Sequence, residues 1–460
     1  MRNDRSMTSL NGNLLNPEDD GFDSARQAWN LAVDQRPAAI AYANDADDVA
    51  AAVRLAAQRG LRVAVQGTGH AAAPMGALDG TLLLKTMRMT GLEVDPGARR
   101  ARVEAGVLWG DVAVAAGEHG LVALHGSSPD VGVVGYSLGG GLSWLARRHG
   151  LACNRVVAVE IVTADGELRR VGPDEEPELF WALRGGGGSF GAVTALEFEL
   201  LPLTEVYAGW LVWDADAAGE VVHAFREWSS QAPRDVTTSL RFLHLPPFPE
   251  VPEPLRDRPV IAIDGVYLGS EAGGAEVVQP LRQVAAPLVM DTFATIPAPG
   301  LVRLHGDPEQ PVPFLGDGCQ LRELAPEAAD AFIEVGGPGS GSPLLFLELR
   351  QLGGALAEAP DGAGALSALT DEYTLFGGGI AMDEGMAQAV GAHIERVLEA
   401  MAPWSAGVYL NFCETLGGGA PRAFDEASYA RLRDVKARYD EGDLFRSNHP
   451  VEPALREAAT

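Results

Sequence analysis

Three stretches of this sequence combine residue types that could do chemistry. The first, Gly67-Thr68-Gly69-His70-Ala71-Ala72, follows an apolar run ending at Val65 and satisfies G-x-G-x-x-A. A dinucleotide fingerprint of that kind needs a helix to open there, so that its N-terminus faces the pyrophosphate. Pro74, Gly76, Asp79 and Gly80 follow instead, so no helix is expected. The glycines then keep only the role of a backbone nest for phosphate. The second, Gly135-Tyr136-Ser137-Leu138-Gly139, satisfies G-x-S-x-G, the nucleophile elbow of α/β-hydrolases. Apolar Val131–Val134 before it and Leu142–Arg148 after it imitate strand, turn and helix. A serine hydrolase built on Ser137 is therefore the alternative reading. Asp371 and His393 would be its downstream acid and base, although neither sits in a matching signature. The third is a set of glycine runs, Gly126–Gly141 and Gly185–Gly191. Together with the loop at 67–69 they make three places of bare backbone. Bare N–H groups suit a large, flat, doubly phosphorylated ligand that must lie close to the main chain.

The elements that must position these stretches follow from periodicity. Asp47 and Asp48 can cap a helix with Val49, Val53 and Ala56 on its apolar face, stopped by Gly60. Strands are expected at 61–65, 81–85, 101–104 and 192–200, and a helix at 108–118 before Gly120. Residues 156–171 read as a hairpin turning at Asp165-Gly166. Beyond about residue 204 the texture changes to longer strands, including 260–267 and 344–349. A helix at 386–401 carries Met386, Val390, Ile394, Val397 and Met401 on one face. The expected division is an N-terminal extension over 1–35, a cofactor-binding domain over 36–203, a substrate-binding domain over 204–420 and a returning segment over 421–460. Arg350, Gln351 and Tyr373 of the middle domain are candidates for the pocket, but surface or core roles fit them better.

Bulk properties narrow the partners. The 460 residues include 35 Lys and Arg against 63 Asp and Glu, a net charge of −28. So acidic a chain is a poor partner for nucleic acid or anionic lipid. Glycine is 55 of 460 residues, well above the usual ~7 %. Cys153, Cys319 and Cys413 are widely spaced with no CxxC pair, so a reduced, cytoplasmic setting is expected, with no disulfide framework and no metal. The polar start of the chain shows no secretory core, and no apolar run reaches membrane-spanning length.

With these residues assembled, the sequence resembles the berberine-bridge-enzyme-like FAD-linked oxidases of the p-cresol methylhydroxylase and vanillyl-alcohol oxidase superfamily. The resemblance rests on Arg36-Pro37-Ala38-Ala39-Ile40, on Val63 to His70, and on Ser127-Ser128-Pro129-Asp130-Val131-Gly132 through Gly141. It extends through Leu179-Phe180-Trp181-Ala182-Leu183-Arg184, Tyr409-Leu410-Asn411-Phe412, Val435 to Asp440 and Phe445 to Asn448. It implies an α+β fold: a two-lobed FAD-binding domain with a second, substrate domain built on an antiparallel sheet backed by helices.

The resemblance also implies FAD, held by an 8α-histidyl bond to His70. Cofactor-contacting positions would be Gly67, Thr68, Gly69, His70, Ser127, Ser128, Val131, Gly132, Gly135, Tyr136, Ser137, Gly139, Gly140, Gly141, Val162 and Asn448. On this reading Ser137 binds FAD through its hydroxyl and attacks no ester. Doubly linked members carry a Cys at the position of Ser128, and Ser cannot make that thioether, so a single link is implied. A tyrosine that some relatives use for catalysis is Leu142 here. A small Val at position 131 goes in this family with oxygen access, which favours an oxidase over a dehydrogenase. Tyr409 is the implied catalytic base. If its segment is a strand, Asn411 shares its face and could donate to the flavin or orient the substrate. The expected reaction is two-electron oxidation of an alcohol or similar carbon centre, with a small-molecule substrate and with oxygen reduced to hydrogen peroxide. A dehydrogenase using another acceptor and a flavin carrier without turnover are the remaining readings. Substrate identity and oligomeric state are left open.

Overall fold

The computed structural model describes residue 10 and residues 13–455 except 248, 250, 257 and 418. Most of the N-terminal stretch read for a leader lies outside the described residues. The chain first builds a small sheet in the order Leu14–Leu15, Ala39–Tyr42, Thr81–Lys85, Arg62–Gln66, its last three strands parallel. The Ala46–Arg59 helix makes the crossover. Asp45, rather than Asp47 or Asp48, is its cap: its side chain accepts from the Asp48 N–H, and the other two acids lie in the first turn. Gly60 ends the helix at φ +65°, where a side chain would be strained. No helix follows Gly67. After Gln66 the chain runs as loop to a short 3₁₀ turn at Ala73–Met75, as Pro74 and the later glycines predict.

A second sheet is fully antiparallel, in the order Leu92–Asp95, Arg100–Glu104, Ala192–Glu199, Val156–Val162, Leu168–Val171. Its core holds Val103, Ile161, Leu196 and Phe198 from the strands with Trp109 and Val112 from the helix Trp109–Gly117. The C-terminal helix Glu426–Tyr439 adds Leu432 and Val435 to the same core. Phe445 bridges to Val63 of the first sheet.

Residues 205–407 supply a nine-stranded antiparallel sheet. Its centre runs Glu205–Asp214, Pro259–Tyr267, Val236–His244, Phe346–Gln351, Tyr373–Ile380, Phe314–Leu321. Strand alternation splits this sheet cleanly. Leu240, Phe242, Ile261, Ile263, Leu347, Leu349 and Leu375 pack on Val222, Phe225, Phe332, Ile394 and Val397 of the backing helices. Their neighbours in sequence, Arg241, Leu243, Phe346, Glu348, Arg350 and Phe376, face the other way, into a cavity. Among the described residues no helix is long and apolar enough to cross a membrane.

Candidate active site

The cavity has a volume of about 410 Å³ and lies between the large sheet and the glycine-rich loops of the first two. One wall is the loop after the Arg62–Gln66 strand, carrying Gly67, Thr68, Gly69 and His70. Gly69 has φ +90°, and a Cβ there would come 2.8 Å from that of Ala28. The bare backbone thus lets residues 28–30 cross the loop, where the Trp29 N–H donates to Thr68 O at 3.0 Å. Trp29 stacks on the His70 ring at 4.1 Å between centroids and 19° between planes. Thr68 Oγ1 lies 2.8 Å from His70 Nδ1, and Asp130 Oδ1 lies 3.5 Å from Nε2. Asp130 also accepts from Ser128 Oγ at 2.7 Å and from Trp29 Nε1. Burial opposes its charge, but His70, Ser128 and Trp29 outweigh burial and hold the carboxyl below its ordinary range.

The floor comes from Gly126 to Gly139 and from Gly187, Gly188 and Gly191. A Cβ built on Gly135 or Gly187 would meet nothing within 4 Å. Both positions leave open space where a side chain would stand, which lets a phosphate-bearing ligand approach the main chain, although the Gly187 N–H itself is donated to Leu138 O at 2.9 Å. Ser127, Ser128, Val131, Gly132, Gly135, Tyr136 and Gly139 line the floor, as does Asn448 from the C-terminal segment. The residues present therefore fit FAD: an open glycine floor for a pyrophosphate and an imidazole at the wall.

Tyr409 and Asn411 stand opposite. Their segment is not a strand. Leu410–Phe412 is a 3₁₀ turn that Tyr409 opens, yet the tight turn still brings the pair together. Asn411 Nδ2 donates to Tyr409 Oη at 3.1 Å and to Tyr136 O at 3.0 Å, and the Gly141 N–H donates to the same Oη at 2.9 Å. A Cβ on Gly139 would fall 1.8 Å from Asn411 Oδ1, so the amide's seat exists because residue 139 is glycine. Burial pushes the Tyr409 phenol well above its ordinary value, while the Gly141 and Asn411 donors work the other way.

Four expected contact residues lie behind the lining. Ser137 is buried within the helix Val133–Leu138, not on an elbow between strand and helix. His393 spends its Nε2 on Val335 O in the helical layer behind the large sheet. The hydrolase constellation is thus not assembled. Gly140 and Gly141 pack against Tyr409, Tyr136 and Ala152 rather than open space. Val162 is fully buried between paired strands. Of the middle-domain candidates, Arg350 lines the cavity, whereas Tyr373 and Gln351 are core residues bonded to Ser229.

Sequence reasoning missed a buried charged network on the cavity face of the large sheet. His305 contacts Asp264 Oδ2 through Nδ1 at 2.6 Å and Glu348 Oε2 through Nε2 at 3.0 Å. Arg241 pairs with Asp264 at 3.0 Å, and Arg350 Nε with Glu348 Oε1 at 3.0 Å. Burial and Arg241 disfavour charge on His305, but Asp264 and Asp307 prevail and raise its pKa. Burial opposes the charge on Glu348, yet Arg350 and His305 bring its carboxyl down to about 2. The strict alternation of Phe346, Glu348 and Arg350 with Leu347 and Leu349 was the available signal. Trp29 and His305 had none.

Comparison with known proteins agrees with this geometry. A family model described as an FAD binding domain matches residues 37–172, and one described as berberine and berberine like matches 408–452. (R)-6-hydroxynicotine oxidase from Paenarthrobacter nicotinovorans is 38% identical over 206 residues, a stretch covering 45% of each chain. Chitooligosaccharide oxidase from Gibberella zeae is 26% identical over 93% of this chain and 89% of its own. The crystal structure of 6-hydroxy-D-nicotine oxidase from Arthrobacter nicotinovorans superposes with a TM-score of 0.84 at 25% identity, covering 97% of this chain and 99% of that one. The fold is of the p-cresol methylhydroxylase type, with a match to an FAD binding domain over 37–172. Over these stretches the chain is similar to berberine-bridge-enzyme-like FAD-linked oxidoreductases.

Proposed function

We propose that this protein is an FAD-dependent oxidase that holds its cofactor covalently through His70 alone and oxidises an alcohol or similar carbon centre of a small molecule. The observation that carries this reading is the placement of His70, the open glycine floor and the Tyr409–Asn411 pair around one cavity. Bound FAD would accept two electrons and deliver them to oxygen as hydrogen peroxide. The sequence-inferred contacts at Gly67–His70, Ser127–Gly132, Gly135, Tyr136, Gly139 and Asn448 belong to this proposal, as does a cytoplasmic setting.

The chain's own groups fit these roles. Thr68 Oγ1 at 2.8 Å from Nδ1 and Asp130 Oδ1 at 3.5 Å from Nε2 hold the His70 ring by both nitrogens at the cavity wall, where it would carry the cofactor. Trp29 fixes the ring plane. Ser128 donates to Asp130 and offers no thiol for a second link. Tyr409 takes the substrate proton: the N–H groups of Gly141 and Asn411 are already aimed at the oxygen that must bear negative charge. Val131 lines the cavity with a small side chain, which supports oxygen as the acceptor.

The purified protein is expected to be yellow and to keep its colour in an acid-precipitated pellet. His70→Ala should release all flavin to the supernatant. Acid-stable colour in that variant would place the link elsewhere, and a colourless wild type would remove the flavoprotein reading.

A further inference from the structure

The cavity face of the large sheet is zoned along its strands. At one end Leu243, Phe346 and Ile380 carry no polar side-chain atom, and Phe314, Phe376 and Phe412 continue the surface. Phe314 stacks on Phe346 at 6.0 Å and 11°, Phe346 meets Phe376 at 5.7 Å, and Phe376 stacks on Phe412 at 4.9 Å and 18°. At the other end sits the charged network. Glu348 takes Arg350, His305 and Ser239, Asp307 takes Ser127 through Oδ2, and Asp264 takes Arg241 and His305 through Oδ2 while its buried Oδ1 has no partner. The Asp307 carboxylate and the Arg350 guanidinium both line the cavity, and Arg350 is the donor nearest the aromatic end. Arg350 lies 4.9 Å over the Phe412 ring, gives Nε to Glu348 and sets one terminal nitrogen 3.2 Å from His305 Nε2 and 3.4 Å from Ser127 Oγ. Its other terminal nitrogen meets no acceptor among the described residues.

We infer that the substrate is a flat, uncharged, largely apolar molecule presenting one acceptor oxygen to Arg350, and not an oligosaccharide. This inference rests on the oxidoreductase reading above. A sugar carries a donor and an acceptor on every hydroxyl, and against phenylalanine these would exchange water for nothing. An apolar ring loses nothing there and gains area and ring contacts. Charge balance selects an uncharged head. Arg241, Arg350 and His305 stand against Asp264, Glu348 and Asp307, three basic side chains among three carboxylates. A carboxylate head would add an unmatched anion beside Asp307 and Glu348.

The test is equilibrium binding to the purified holoenzyme by titration calorimetry, with 1-tetralone, tetralin and cellobiose as probes. The ketone should bind about tenfold more tightly than tetralin, as expected of one charge-assisted hydrogen bond, and cellobiose should show no heat of binding. Arg350→Met should reduce the ketone's advantage to less than about threefold. Phe346→Asn should weaken both bicyclic probes together. Cellobiose binding as tightly as 1-tetralone, or equal affinity for the two bicyclic probes in the wild type, overturns the inference whether or not the variants fold. These outcomes are independent of acid-stable colour, so failure here leaves the flavin reading standing, and failure there leaves the binding result intact.

Discussion

Tyr409 carries the sharpest residue-scale consequence. Its Oη accepts from Gly141 and Asn411, but burial still keeps it a phenol well into the alkaline range. A base acts through its deprotonated fraction, so kcat should climb with pH and show no plateau below about pH 9. Tyr409→Phe should lower kcat by about 10²–10⁴-fold with smaller change in KM, measured by peroxide release. An unchanged pH profile in that variant would assign the base elsewhere. Glu414 gives a second case. It lines the cavity, its Oε2 is sealed without a partner, and burial next to Asp317 raises its pKa to about 8. The folded chain therefore binds this proton more tightly than the unfolded chain, whose carboxyl titrates near 4.5. Its contribution to stability is complete below that value and is lost as pH rises to about 8. Glu414→Gln should then raise the melting temperature by about 2–5 °C at alkaline pH and change little in acid. Equal gains at both ends would mean the carboxyl is not protonated in the fold.

Among the elements, the C-terminal helix Glu426–Tyr439 shows how a late segment is bound to an early lobe. Lys436 is fully buried; its Nζ donates to Asp440 Oδ2 at 2.6 Å, Ser189 O at 2.9 Å and Phe445 O at 3.2 Å. Asp440 in turn accepts from the Leu444 and Phe445 N–H groups. Lys436, which also pairs with Asp443 Oδ1 at 3.1 Å, thus ties the helix to the second glycine run through Ser189 O and to the segment that bridges Val63. Lys436→Met should cost about 3–5 kcal/mol in urea unfolding, because it leaves a buried carboxylate unpaired, whereas pairing it with Asp440→Leu should recover part of the loss. A single variant as stable as the parent would show the pair to be dispensable. The large sheet works by a different device. The alternation that puts Leu347 and Leu349 on the backing helices necessarily turns Phe346, Glu348 and Arg350 into the cavity, so packing of the core and presentation of the site are one decision.

For the whole molecule, charge and architecture act on different quantities. The net charge of −28 opposes compaction by self-repulsion. Raising sodium chloride from about 0.02 to 0.5 M shortens the screening length several-fold and should raise the melting temperature by a few degrees. A fall would mean that surface pairs such as Arg431–Glu178, which salt also screens, outweigh the repulsion. Architecture decides the site: its walls come from residues as distant in sequence as Trp29, His70, Gly187, Arg350 and Asn448.

The sequence by itself determined that glycine-bared backbone would gather around His70 and that an antiparallel sheet with a helical backing would follow. The glycine loops and the separate strands and helices depend on local matters, turn chemistry and the period of apolar residues, whereas their gathering around His70 and the antiparallel pairing were implied by the family resemblance. It also carried the Tyr409–Asn411 pair, although a 3₁₀ turn and not a strand brings those side chains together. Only the tertiary structure decided that Ser137 is held within a helix, that Trp29 roofs the histidine, and that His305 joins two carboxylates from strands 84 residues apart in sequence, Asp264 and Glu348. Such contacts depend on register between distant strands and on where a loop comes to rest, and neither leaves a periodic mark on the chain.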